Sequence, residues 1–176
     1  MDKSDEIINR VASSSLMVFE LEEFYQPGER VLLDLKDQLY EGLILKEKNF
    51  REFIRTHNWQ AYQGKFLAIT CSADAIVPVW AFMLAALAAQ PYAKRVMVGT
   101  LQELEHQLFC EAFNKVDWSR YEASRVVVKG CSKYDIPVSV YAEVAVRLRP
   151  LVRSLMFGEP CSTVPLYKSA IKNFED

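Results

Sequence analysis

Little in this sequence marks an activity outright. It holds two histidines in 176 residues and no G-x-S-x-G element, so a Ser-His-Asp arrangement drawing on Ser72 or Ser132 with Asp74 or Asp135 has no nucleophile elbow behind it. There is no G-x-G-x-x-G or G-x-x-x-x-G-K loop either, which leaves those nucleotide-binding folds without support. The four cysteines form no C-x-x-C pair. No excess of basic charge is present: 21 Lys and Arg face 23 Asp and Glu, for a formal charge of −2. That balance argues against a protein held to nucleic acid by phosphate attraction, and no nucleic-acid partner is expected. The longest apolar stretch, Ala75 to Ala89, is shorter than the roughly 20 residues of a membrane span and contains Pro78. No membrane partner is expected. The polar opening MDKSDEIINR predicts no signal peptide, and the chain reads as soluble and cytoplasmic. Low-complexity segments and solenoid-type repeats are also missing.

What is present is ordinary globular material, 51% hydrophobic and 25% charged. A chain of this size buries roughly 70% of the surface its unfolded form exposes, so one domain over residues 1–176 is expected. Residues 1–62 read as its β-rich part. Leu16 to Leu21 is a strand-like apolar run, Gln26-Pro27-Gly28-Glu29 a turn, and Arg30–Leu35 and Leu39–Leu45 two further strands, together an antiparallel N-terminal β meander. Phe50, Phe53, Ile54 and His57 then mark one face of a helix.

Residues 63–168 alternate strand and helix. Strands are expected at Phe66–Thr70, Arg95–Val98 and Arg125–Lys129, and helices at Val79–Gln90, Leu101–Val116 and Val138–Phe157, the last kinked or divided by Pro150. Gly158–Lys168 reads as an ordered loop and residues 169–176 as a frayed tail. Alternation of this kind implies parallel pairing through right-handed crossovers. The expected fold is α/β: a mostly parallel sheet with helices on both faces, plus the N-terminal meander. The Val79–Gln90 helix is apolar on nearly every side, which makes a homodimer worth testing; another protein partner is the alternative.

Cysteine supplies the one chemical pattern. Cys71, Cys131 and Cys161 are each followed by serine and, four to seven residues on, by proline; Cys110 is not. Cys71 and Cys131 follow apolar strands and precede helices, where ligands bind in parallel sheets and where a helix N-terminus favours the thiolate. If the C-terminal loop brings Cys161 to them, three thiolates suit zinc or an iron–sulfur cluster, with Asp74 a weaker additional ligand. Two other readings stand beside this one. The protein can be a non-catalytic interaction module whose cysteines are structural, small buried hydrophobes with serine capping the next turn, or one of them, Cys71 or Cys131, can be the activated nucleophile of a thiol enzyme. His57 reads as structural, His106 as exposed, and Arg147, Arg149 and Arg153 as a solvated face or an anion site.

The segments Thr70–Trp80, Val128–Ser132 and Phe157–Lys168, with the opening Ser4–Val11, resemble an uncharacterised bacterial family, domain of unknown function 2480. The resemblance covers essentially the whole chain. It carries no activity with it. Because genes of that family lie near those of iron–sulfur cluster assembly, it implies an accessory role in metal or sulfur handling.

Overall fold

A computed structural model of the chain describes residues 16–169. Within them run seven strands and four α-helices: β1 (Leu16–Glu20), β2 (Arg30–Asp34), α1 (Glu47–Thr56), β3 (Phe66–Thr70), α2 (Val79–Ala89), β4 (Arg95–Val98), α3 (Leu101–Phe113), β5 (Arg125–Lys129), α4 (Val138–Leu148), β6 (Ser154–Glu159) and β7 (Ser162–Lys168). The fold is α/β with mostly parallel strands. The strands form two sheets, ordered β1-β5-β6-β7 and β2-β3-β4, and only the β6–β7 pair is antiparallel. Among the described residues, no helix is long and apolar enough to cross a membrane.

The chain divides into two compact units. Unit 2 is the continuous stretch Gln26–Phe109, and unit 1 combines Met1–Tyr25 with Cys110–Asp176. The expected N-terminal meander is not formed. β1 runs parallel to β5, and β2 runs parallel to β3 in the other sheet. The turn at Gln26–Glu29 is where the chain leaves one unit for the other, not a hairpin. Leu39–Leu45 is not a strand; Tyr40 and Ile44 make an isolated antiparallel bridge. The long C-terminal helix stops at Leu148, and β6 begins at Ser154. The expected loop beyond it is the β6–β7 hairpin. The frayed tail, apart from Ser169, lies outside the described residues.

Unit 2 packs helices on both faces of its sheet. Leu67 and Ile69 of β3 point to one side, into a core with Phe50 of α1 and the small stripe Ala81, Ala85 and Ala89 of α2. Phe66 and Ala68 point to the other, against Leu104 and Leu108 of α3. This is why β3 is continuously apolar in sequence: a parallel central strand is covered twice. The alanines let α2 lie close to the sheet, at full helix propensity. At the start of α3, Thr100 and Glu103 form a capping box, Thr100 N–H donating to Glu103 Oε2 at 2.7 Å and Glu103 N–H to Thr100 Oγ1 at 3.2 Å.

The two units are built on one plan. Trp59 and Trp118 each open a short 3-10 helix, and each donates its indole N–H to the carbonyl five residues back, Ile54 and Phe113. The same shift of 59 residues relates Tyr62 to Tyr121, β3 to β5, Pro78 to Pro137 before the helix, and α2 to α4. The buried stripe Ala81, Ala85 and Ala89 becomes Val140, Val144 and Leu148. A shift of 14 relates β1 to β2, and both strands run into 3-10 helices, Leu21–Phe24 and Leu35–Gln38. Registers agree as well: Glu20 stands beside Lys129 as Asp34 stands beside Thr70.

Candidate functional site

In each unit the parallel strands end together, and the loop from the central strand to the following helix begins at those ends. Pro78 and Pro137 stop these loops in extended backbone directly before α2 and α4. The helices start there because the following residues are strong helix formers in α2 and a periodically buried apolar stripe in α4. Carboxyl ends of parallel strands, with helix N-termini beside them, are where such sheets receive ligands.

In unit 2 the loop is tied to the end of β2. Asp34, at the end of β2, accepts the backbone N–H of Ser72 at 3.0 Å, the Ser72 hydroxyl at 2.5 Å and the N–H of Lys36 at 3.0 Å. Burial alone would raise its pKa. The bonds from Ser72 and Lys36 outweigh that and hold the carboxyl down at about 2. Cys71 lies alongside, half-buried, its thiol turned to the Ala73 carbonyl at 3.9 Å. Asp74 is exposed in the loop.

In unit 1 the equivalent end is open. A cleft of about 450 Å³ is lined by Glu20, Leu21 and Glu22 from β1 and its 3-10 helix, Lys129, Gly130, Cys131 and Ser132 from β5 and its loop, and Glu159 from the end of β6. Lys129 Nζ sits between two carboxylates, 4.0 Å from Glu20 and 3.8 Å from Glu159. Cys131 Sγ receives the Tyr134 N–H at 3.4 Å and lies 3.9 Å from Glu22 Oε2. Its own N–H donates to the Tyr141 hydroxyl at 3.3 Å. The loop is pinned by Tyr134, whose ring stacks on Tyr25 with centroids 3.7 Å apart. Lys133 beside it is held protonated above the ordinary lysine range, first by its bond to the Tyr134 phenol and then by charge, that of Glu22 and Cys131 included.

Cys131 is at the unit 1 cleft, Cys71 is at the corresponding end of unit 2, and Cys161 is exposed in the β6–β7 turn. Among the described residues no group of three or more His, Cys, Asp or Glu side chains is arranged to hold a metal ion. The shift that superposes the loops places Cys131 opposite Ser72, and Cys71 opposite Gly130, so the Cys-Ser echo aligns one residue out of step. Cys110, in α3, is half-buried, and burial followed by the Glu143 carboxylate pushes its thiol up. His57 packs on Phe53 and Trp59 with Nε2 2.9 Å from the Tyr62 hydroxyl. Arg147 is held by Glu143 at 2.6 Å and by Asn114.

Glu20, Glu22, Lys129 and Glu159 escape a reading of the sequence because they come from three strand ends scattered along the chain. The available signal was Phe19-Glu20-Leu21 recurring as Leu33-Asp34-Leu35.

Fold and cleft together define an internally duplicated α/β protein whose unit 1 strand ends open into a cleft carrying a thiol. The chain belongs to the family described as "Protein of unknown function (DUF2480)", whose model matches residues 5–169. No curated protein and no solved structure matches it.

Proposed function

We propose that the protein is an accessory protein handling a thiophilic species, a sulfane sulfur atom or a soft metal ion such as zinc, and that it does so through the single thiol of Cys131. The observation that carries this reading is the contrast between the two copies of one loop. Where unit 2 has Ser72 spent on Asp34, unit 1 has Cys131 facing a cleft. In the sulfur case the Cys131 thiolate attacks the outer sulfur of a persulfide donor. The donor's S–S bond breaks, the donor leaves as its thiolate, and a new S–S bond forms on Cys131. The Tyr134 N–H meets the negative charge on Sγ, and Lys129 and Lys133 offset the carboxylates around it. In the metal case this chain supplies Cys131 and Glu22, and a partner completes the shell.

Two measurements test the reading. Purified protein is treated with a small-molecule persulfide and mapped by mass spectrometry, and in parallel zinc retention is measured by equilibrium dialysis with imidazole present to stand in for the partner's ligands. Gain of one sulfur on the Cys131 peptide, or one zinc per chain, is expected in wild type, Cys71→Ser and Cys161→Ser, and is lost in Cys131→Ser. Serine already occupies the matching place in unit 2, so that variant keeps its fold. Equal loading of Cys71 or Cys161, or full zinc retention by Cys131→Ser, overturns the proposal.

A further inference from the structure

The two units differ at one edge. In unit 1 the sheet continues past β6 to β7, and the hollow between α4 and that edge, about 200 Å³, is bounded by Ala145, Val146, Arg149 and Leu155 and by Leu166 and Tyr167 of β7. The Tyr167 ring receives the Arg149 guanidinium at 5.2 Å. The corresponding hollow in unit 2, about 310 Å³, is bounded by Ala86, Leu87, Gln90 and Val96 with Ala93, Lys94 and Arg95. Among the described residues its sheet stops at β4. Beside that edge α2 turns an uncharged stripe outward: Val79, Met83 and Leu87 are 74%, 60% and 69% exposed. An open edge next to an apolar helix face is a pairing site that soluble proteins ordinarily cover.

We infer that β4 and α2 form a two-fold interface with a second copy of this chain, β4 pairing antiparallel with β4 of the partner copy and the two α2 stripes meeting over the join. A lone strand from another protein would fill the hollow as β7 does in unit 1, and would leave the stripe of α2 exposed as β7 leaves Val138 and Val146 of α4, 83% and 70% exposed. A second copy brings strand and helix together, and α2 contains no charge to repel its mate. Charge favours a pairing centred on Met97. It sets Arg95 opposite Gly99 of the other copy, and the Glu103 carboxylate lies against Gly99, with Oε2 2.7 Å from where a Cβ there would sit. Arg95 thereby meets an acid. The two Arg95 side chains stand four residues apart along the join, roughly 13 Å, beyond the ~8 Å over which charges act in physiological salt. Faces also match: Val96, in the core beside α2, falls opposite Val98, two positions along the same strand face.

Sedimentation and light scattering across micromolar concentrations read the outcome. Wild type is expected at twice the 20.2 kDa chain mass. Leu87→Glu is expected at the chain mass. Val146→Glu, the same helix position in unit 1 and 70% exposed, stays double. Independently, Met97→Cys places two thiols directly opposite across the axis, with Cβ atoms about 4.5 Å apart in the closer kind of cross-strand pair, at the upper end of what a disulfide spans. Mild oxidation should give a covalent dimer joined through that peptide and absent from oxidised wild type. A monomeric wild type, a dimeric Leu87→Glu, loss of the dimer in Val146→Glu, or no disulfide-linked dimer of Met97→Cys overturns the inference.

Discussion

Arg30 and Glu105 show how one pair of side chains can be decisive within unit 2. Arg30 Nε and Nη2 reach the two Glu105 oxygens at 2.6 and 3.0 Å, and Nη1 donates to the Gly28 carbonyl at 2.6 Å. The guanidinium also lies 4.9 Å from the centre of the Phe66 ring. The two side chains retain 13% and 11% exposure, so the pair is largely dry. It ties the start of β2 to α3. Removing one partner strands a charge in a place water barely reaches, which costs about 3 kcal/mol. Glu105→Ala is therefore expected to lower the urea midpoint markedly. The double change Arg30→Ala with Glu105→Ala should be milder than the sum of the single changes, because the stranded charge goes with its partner. An unchanged midpoint in Glu105→Ala would remove the pair from the account of unit 2. Nothing in the sequence announces this contact, since a lone arginine and a lone glutamate 75 positions apart carry no local pattern.

Elements were easier to foresee than their partners. β3, β4 and β5, α1 to α3 and the stop of α4 before Pro150 follow from periodicity and proline, which act within a few residues, whereas the stretch up to Phe157, expected as helix, enters strand β6 at Ser154. The direction of β1 and β2 does not follow from periodicity or proline. Two apolar runs joined by Pro-Gly look like a hairpin, and only the pairing of each with a strand 36 or 109 residues further on, Arg30 with Phe66 and Leu16 with Arg125, reveals that β1 and β2 run parallel in two separate sheets. The duplication was half visible. The prolines and the Trp-x-x-Tyr steps carry it, whereas the cysteines mislead by one position.

Its finest mark is the residue two places after each tyrosine. Gly64 (φ +72°) and Ala123 (φ +53°) both sit in left-handed backbone, each donating its N–H at 2.9 Å to the matching carbonyl, Tyr92 or Leu151. A left-handed alanine costs roughly 1–2 kcal/mol, part of which glycine returns as unfolded-state entropy. Ala123→Gly should thus raise the melting temperature slightly, by about 0.5 kcal/mol of stability. Gly64→Ala should lower it by about 1 kcal/mol, through backbone strain alone, since no atom lies within 4 Å of the added Cβ. Melting curves that moved in the same direction would contradict a shared backbone requirement.

For the molecule as a whole, the titrating groups combine into one stability profile against pH. His57 is pushed below its ordinary 6.5 by burial, so the folded state favours the neutral ring. Its contribution is complete above 6.5 and is lost as pH falls through the lowered value. Glu103 and Asp117 are held down by bonds from Thr100 and Ser119, and Asp34 reaches about 2. Their contributions are complete above the ordinary carboxylate values and disappear as pH falls further. On the alkaline side the Cys110 thiol and the Tyr62 and Tyr121 phenols are raised by burial, the thiol by Glu143 as well. The folded state keeps these groups neutral, so stability is full below the ordinary thiol and phenol values of 9.0 and 10.0 and is lost as pH climbs through the raised ones. The expected profile is a plateau between about pH 6.5 and 9, with a first decline on acidification from His57 and a steeper one below about pH 4 from the carboxylates. Urea denaturation at half-unit steps of pH reads it directly. His57→Gln should remove the first decline and leave the second, and Asp34→Asn should lower the plateau and flatten the steep limb. A profile that peaked near about pH 5, well below the ordinary histidine value, or an Asp34→Asn variant as acid-sensitive as wild type, would show that these groups do not govern the stability of the fold.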